Sequence, residues 1–237
     1  MKKFNGIGDS EISILKLLSV YLSNVFFTLC FIVAFSLFAF SFLTMECDVI
    51  GVSMQPTLNK YGANKCDVVY INNAEKDYRY GDIIVIDTDN EAIIKRIVGL
   101  PGDVLDIIRC EDGMFRLERN GEVVEEDYIK MYNTPDVETF YQNGMNNSAS
   151  EFNLLRSKKP ELFNLYGQLV VGEDSVFAMG DNRRDSQDST HYGTFDYSQI
   201  RGVVTEIRYY GENELDFYLQ FVGSGRFMDS LIGLIFN

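Results

Sequence analysis

A serine at position 53 lies in a turn whose neighbours restrict the backbone. The segment GVSMQPTL occupies positions 51–58. Gly51 permits close backbone approach, while Pro56 fixes its own φ and favours an extended Gln55. A serine hydroxyl that attacks a carbonyl needs such a fixed presentation, with its backbone N–H facing the carbonyl oxygen. Ser53 is therefore a candidate nucleophile, and a polar residue in an ordinary loop is the competing interpretation.

Lys95 is the candidate general base for that serine. It lies in AIIKRIV, positions 92–98, a predicted strand with apolar residues on both sides. Burial disfavours the charged form of an amine and lowers its pKa from about 10.4, and neutral lysine can then accept a serine proton. Arg96 points to the opposite face and is expected to be exposed or salt-bridged. A lysine whose amine reaches water is the competing interpretation.

The single histidine, His191, offers a second base. It follows Asp188 in GDNRRDSQDSTHYG, positions 180–193, the densest polar stretch of the chain. A Ser/His enzyme would use His191 as base and Asp188 as the residue that orients it. Nothing in the sequence places that pair beside Ser53, so Lys95 is the favoured base and the Ser/His enzyme is the alternative.

The segment between Lys16 and Glu46 contains no charged residue. A helix over positions 17–45 would be about 43 Å long, more than the roughly 30 Å hydrocarbon core of a bilayer. It ends in FLTM rather than in the small residues of a signal-peptide cleavage site, which predicts a retained anchor. Basic residues precede it and acidic residues follow it: Lys2, Lys3 and Lys16, then Glu46 and Asp48. This bias predicts a single pass of the cell membrane, with a cytoplasmic N-terminus and an extracytoplasmic body.

The formal net charge is −14 at pH 7, from 21 basic and 35 acidic residues. An acidic body argues against nucleic acid as a partner, because phosphate contacts need clusters of lysine and arginine. The cysteines show no metal-ligand spacing, and no metal or organic cofactor is expected. Free, mostly buried thiols are favoured for Cys30, Cys47, Cys66 and Cys110, with a disulfide among the last three left open.

The residues after the anchor predict a mainly β body, with helix concentrated in the anchor. Runs rich in Val and Ile, bounded by turn residues, occupy positions 66–71, 82–88, 91–99, 103–109, 168–181 and 202–210. Asn120-Gly121 lies between two alternating runs, which predicts a two-residue hairpin. Residues 129–167 show weak periodicity and are interpreted as an insertion. The apolar segment FMDSLIGLIFN, 227–237, is too short to span a membrane and is expected to pack on the body or rest on the membrane.

Four motifs occur in order behind the anchor: SMQPTL, GDIIV, KRIVGLPGD and GDNRRDSQDS. Together they resemble bacterial type I signal peptidases of the Gram-positive, single-anchor form, closely over Val49–Asp103 and Phe177–Gly193. The resemblance implies a membrane-bound Ser/Lys endopeptidase that removes signal peptides from exported preproteins, in association with the lipid membrane and the secretion route. It also implies small residues, typically Ala, at the first and third positions before the cut.

The resemblance implies an antiparallel β catalytic domain with an inserted second β-rich region, preceded by one N-terminal transmembrane helix. The corresponding boundaries are a cytoplasmic tail at 1–16, the anchor at 17–45, the catalytic domain at 46–104 and 176–210, the inserted region at 105–175 and a C-terminal apolar tail at 211–237.

Carried over residue by residue, the resemblance makes Ser53 the nucleophile and Lys95 the general base. Ser186 corresponds to a serine that orients the lysine amine, and Asp188 to a structural acid. The supporting loop corresponds to Asp181, Asn182 and Arg183, and the oxyanion region to Gly51 and Ser53. The walls of the substrate cleft are inferred from the motif strands: Ile50, Val52, Met54, Pro56, Ile84, Val85 and Ile94.

Two positions depart from the family pattern. Gly51 stands where many members carry a Ser or Thr whose hydroxyl helps to bind the oxyanion, so the second donor is left open. Thr190 stands where members often carry an arginine that pairs with the aspartate. The partner of Asp188 is therefore left open among Arg183, Arg184 and His191.

Two further functions are alternatives. An autoprotease similar to the SOS repressors shares the Ser/Lys dyad, but the anchor and the lack of a helix-turn-helix segment disfavour it. A silent anchored β-domain that binds partners would be expected to have lost Ser53 or Lys95, and both are present in their motifs.

Overall fold

An apolar N-terminal helix precedes the body of the chain. The computed structural model describes residues 9–62, 64–131 and 137–213. Helix α1, Asp9–Leu43, contains one stretch long and apolar enough to cross a membrane, Lys16–Phe35, with a mean hydropathy of 2.1. It belongs to a separate compact unit from the body, which begins at Thr44. The predicted C-terminal segment 227–237 lies outside the described residues.

The body is built on two antiparallel sheets, as the sequence predicted. In chain order the strands are β1 Thr44–Asp48, β2 Val68–Asn72, β3 Ile83–Asp87, β4 Ala92–Gly99, β5 Val104–Arg109, β6 Phe115–Arg119, β7 Glu122–Val123, β8 Leu169–Val170, β9 Ser175–Met179, β10 Phe195–Asp196 and β11 Ile200–Arg208. The larger sheet has the order β1-β2-β11-β3-β4-β9-β10, and the smaller one β7-β6-β5-β8. The predicted two-residue hairpin is confirmed, because Asn120 and Gly121 both have positive φ between β6 and β7.

Alternation along β3 buries both of its faces. Ile83 and Val85 pack in a cluster with Val49, Met54 and Leu58. The alternate residues, Ile84 and Ile86, pack in a second cluster with residues that include Tyr78, Ile97 and Val176. A strand buried on both faces makes a rigid neighbour for β4, which carries Lys95.

A long helix in the inserted region corrects the expectation that helix is concentrated in the anchor. Helix α2, Val137–Lys158, packs Met145, Ala149, Phe152 and Leu155 against residues of the smaller sheet such as Leu105 and Leu117. These four positions share one helical face. The helical pattern is weak in the sequence because Asn and Ser, which have low helix propensity, occupy much of the rest of α2. A short helix, α3 Ser189–Tyr192, follows β9.

The cysteines are less buried than expected. Cys30, Cys47 and Cys110 carry free thiols, of which Cys30 is exposed and the other two are half-buried. Cys66 is half-buried as well.

Candidate active site

Ser53 and Lys95 meet in the body. Lys95 Nζ lies 3.0 Å from Ser53 Oγ and donates to the carbonyl oxygen of Ile94 at 2.8 Å. Lys95 is only 2% exposed. Desolvation by burial lowers the pKa of the Lys95 amine, and the carboxylates of Asp188, Glu91 and Asp181 oppose that shift more weakly. A buried amine beside a serine hydroxyl has the geometry of a base and its nucleophile.

The register of two strands brings the polar loop to this pair. Strand β4 pairs with β9 so that Arg96 lies opposite Met179. Gly180, the next residue, therefore comes level with Lys95 where the loop begins. An added Cβ on Gly180 would lie 2.3 Å from Ser186 Oγ and 2.5 Å from the Ser53 carbonyl oxygen, so only glycine fits there.

Asn182 and Asn59 hold the Ser53 turn from two sides. The backbone N–H of Asn182 donates to the Ser53 carbonyl at 3.0 Å, and its side-chain amide donates to the Val52 carbonyl at 3.1 Å. The side-chain amide of Asn59 donates to the carbonyls of Val49 and Gly51, both at 2.8 Å. Asn59 is 1% exposed, and the sequence analysis did not identify it.

Asp188 is fully supplied with donors from its own loop. Its carboxylate accepts from the Gly180 backbone N–H at 3.0 Å and from Ser186 Oγ at 2.8 Å. Thr190 donates through both its backbone N–H and its hydroxyl, at 3.0 and 2.8 Å. Thr190 thus takes the place that the sequence left open between Arg183, Arg184 and His191. The single hydroxyl proton of Ser186 goes to Asp188, and the role of Ser186 in orienting the Lys95 amine stays a prediction.

Arg96 forms an ion pair with Asp181. The sequence analysis expected Arg96 to be either exposed or salt-bridged, and the second of these is observed. Its guanidinium contacts both carboxylate oxygens, at 2.8 and 2.6 Å, and the hydroxyl of Thr57 donates to the same carboxylate at 2.5 Å. The Asp181 side chain is completely buried. This pair ties β4 to the loop after β9 and to the turn after Ser53.

His191 pairs with a residue of helix α2. Its Nδ1 lies 3.0 Å from a carboxylate oxygen of Glu151 on α2, and both side chains are partly exposed. The observed neighbour of the Ser53 hydroxyl is Lys95. The Ser/His alternative has no support from this arrangement.

A cleft of about 710 Å³ opens in front of Ser53 and Lys95. Five of the seven predicted wall residues line it: Ile50, Val52, Met54, Val85 and Ile94. The other two do not line it. Ile84 points to the other face of β3 and is fully buried in the core, and Pro56 lines a different depression beside Tyr209 and Tyr210. Residues that the sequence did not suggest complete the walls, among them Cys47, Glu91, Asp185, Gln187, Tyr192 and Arg201.

Gly51 has a backbone conformation that explains its residue type. Its φ is +96°, in the region that favours glycine, although an added Cβ would meet no atom within 4 Å. Space alone therefore does not exclude a serine there, but the backbone would be strained. The oxyanion role of Gly51 and Ser53 stays a prediction. Among the described residues no group of three or more His, Cys, Asp or Glu side chains could hold a metal ion.

Comparison with known proteins gives a consistent set of similarities. The family described as "Signal peptidase, peptidase S26" matches residues 22–209. Signal peptidase I of Bacillus amyloliquefaciens is 30% identical over 167 residues, which cover 69% of this chain and 75% of that protein. Signal peptidase I S of Bacillus subtilis (strain 168) is 30% identical over 171 residues, or 70% and 77% of the two chains. A crystal structure of a signal peptidase I from Enterococcus faecalis V583 aligns with a TM-score of 0.38 and 24% identity, over 56% of this chain and all of that one.

Proposed function

This chain belongs to the signal peptidase family, peptidase S26, and we propose that it cleaves signal peptides with Ser53 as the nucleophile and Lys95 as the general base. The enzyme is a membrane-anchored peptidase whose substrates are preproteins. The observation that carries the proposed roles is the 3.0 Å approach of a buried lysine amine to a serine hydroxyl.

The proposed reaction begins with neutral Lys95. Ser53 Oγ attacks the scissile carbonyl carbon while its proton passes to Lys95 Nζ. The ammonium then gives that proton to the leaving amine as the peptide C–N bond breaks, which leaves an acyl-enzyme on Ser53. A water molecule attacks the ester, loses a proton to Lys95, and the proton returns to Ser53 Oγ as the signal peptide departs. The Ser53 backbone N–H and the Gly51 region are the proposed binding site for the oxyanion.

The proposed substrate pose uses the cleft beside Ser53. Ile50, Val52, Met54, Val85 and Ile94 line it and favour small apolar side chains before the cut. The charges on either side of the uncharged segment 17–45 support a cytoplasmic N-terminus and an extracytoplasmic body. A substrate whose apolar signal segment lies in the same bilayer reaches the cleft with less orientational freedom to lose, and it would be cut as it leaves the secretion route.

In vitro cleavage of synthetic preproteins by the full chain in detergent tests these roles. We expect Ser53→Ala and Lys95→Ala each to lose about 10³-fold or more in kcat, because members of a catalytic unit fail singly. His191→Ala is the matched control and is expected to keep most of the activity. A normal rate for Lys95→Ala together with a loss of activity in His191→Ala would establish the Ser/His enzyme instead. A wild-type chain that makes no Ser53-dependent cut in any preprotein of the panel would identify a binding module.

A further inference from the structure

A fully buried ion pair connects the inserted region to the loop of the active site. Glu126 follows strand β7, and Arg183 lies in the loop after β9. Their side chains are 2% and 1% exposed, and Arg183 Nη1 donates to Glu126 Oε2 at 2.9 Å while Nη2 pairs with the other oxygen. The hydroxyl of Tyr128 also donates to Glu126. Burial lowers the pKa of Arg183, but the Glu126 carboxylate and its neighbours raise it, so that the guanidinium stays charged.

The third nitrogen of the Arg183 guanidinium, Nε, contacts the active-site loop. Its Nε donates to the Gly180 carbonyl at 3.0 Å. The other side of Gly180 lies against Ser53 and Ser186, and its N–H donates to Asp188. A guanidinium is planar, so the two bonds to Glu126 fix the direction in which Nε points.

Helix α2 closes on the same loop. An added Cβ on Gly144 would lie 2.8 Å from Arg183 Cβ and 3.0 Å from the backbone nitrogen of Arg184. The sulfur of Met145 lies 3.4 Å from Arg183 Nη1. The inserted region therefore supplies both a packing surface and a counter-charge to this loop, and the side-chain hydrogen bonds of Arg183 go to Gly180, Glu126, Tyr128 and Met145.

We propose that Glu126 is a positioning residue for the reaction: it orients Arg183 so that Nε holds Gly180 where Ser53 and Asp188 meet the loop. This inference rests on the proposed function. The inserted region thus takes part in catalysis through one buried carboxylate.

A double replacement separates positioning from stability. Removing one partner leaves an unpaired buried charge, whereas replacing both by apolar residues of similar size is often neutral for stability. We therefore compare the wild type, Glu126→Leu combined with Arg183→Met, and Arg183→Lys, which keeps a charge for Glu126 but lacks the Nε donor. Glu122→Gln, an exposed change in the same hairpin, is the control.

The expected result is a loss of kcat without a matching loss of thermal stability. For the double variant and for Arg183→Lys we expect kcat to fall about 10²-fold, the scale of a misplaced catalytic group, with KM little changed. A displaced Gly180 no longer holds the Asp188 carboxylate near Lys95. Because that carboxylate raises the pKa of Lys95, the acid limb of the rate profile should also move to lower pH. A wild-type kcat in either folded variant overturns the proposal. If Ser53→Ala and Lys95→Ala are inactive while these variants are fully active, the positioning role fails and the proposed function stands.

Discussion

Lys95 Nζ lies 3.0 Å from Ser53 Oγ, although 42 positions separate the two residues along the chain. The amine reaches the hydroxyl from a buried position on β4, and the carbonyl of Ile94 accepts one of its protons. Burial outweighs the nearby carboxylates, so the pKa of Lys95 is lowered. The same burial has one consequence for the rate and another for stability.

The rate should rise with pH through the lowered pKa of Lys95. Only the neutral amine accepts the Ser53 proton, so we expect kcat/KM for a preprotein peptide to increase towards alkaline pH, with a limb below the ordinary value of about 10.4. Glu91→Gln should move that limb to lower pH, because the Glu91 carboxylate raises the pKa of Lys95. Asp89→Asn, an exposed change nearby, is the control and should not move it. A rate that peaks well below pH 6 contradicts a lysine base.

The free energy of unfolding should also rise with pH. Between the lowered pKa and about 10.4 the unfolded chain binds a proton at Lys95 that the folded chain does not, so unfolding becomes less favourable as pH rises. At neutral pH the burial of the Lys95 amine therefore lowers the free energy of unfolding, and Lys95→Met removes that loss. We expect its melting temperature to exceed that of the wild type most at neutral pH, with the gap closing by about pH 10. A gap that is constant from pH 7 to 10 would show that the amine titrates normally.

Arg96 should be important for stability. Arg96→Ala leaves the Asp181 carboxylate buried with only the Thr57 hydroxyl beside it, and we expect a loss of about 3–5 kcal/mol in the free energy of unfolding. The control is Arg79→Ala, which breaks the exposed pair with Asp77 and should cost far less, because water screens that pair. Denaturant titration of both variants gives the comparison. Equal costs would mean that burial does not set the value of the Arg96 pair.

Gly180 should tolerate no side chain. Gly180→Ala places a Cβ against the Ser53 carbonyl oxygen, a backbone atom that cannot turn aside, and a shift of about 1 Å at the nucleophile costs on the order of 10² in rate. Gly172→Ala is the matched control, since its nearest neighbour would lie 3.8 Å away. We expect a large fall in kcat for the first and little change for the second. Full activity in Gly180→Ala would mean that Ser53 can move without loss.

Asn59 should affect substrate binding more than chemistry. Its side-chain amide holds the carbonyls of Val49 and Gly51, which precede Ser53 at the wall of the cleft. Asn59→Gly keeps the positive φ but removes these two bonds and the one that Asn59 Oδ1 accepts from the Asp67 backbone N–H, so we expect KM to rise several-fold with a smaller change in kcat. Asn120→Gly, at the same φ in the distant hairpin, is the control. An unchanged KM would show that the cleft wall at Val49 and Gly51 keeps its position without the Asn59 side chain.

Local patterns in the sequence were sufficient for much of this protein. The uncharged segment predicted helix α1, alternating Val and Ile predicted most strands, and Asn120-Gly121 predicted a hairpin, because each depends on residues close together in the chain. The motifs around Ser53 and Lys95 were enough to suggest a nucleophile and a base.

Tertiary structure decided which side chains meet. Helix α2 gains its stability from packing Phe152 and Leu155 on the smaller sheet, which its own polar sequence does not reveal. The pairing of β4 with β9 brings the Gly180 loop to Lys95, and the pairing of Glu126 with Arg183 joins segments 57 positions apart. Residue type and spacing name the groups that can react. Strand register and burial set their distances and protonation, because both depend on contacts between residues that are remote in the sequence.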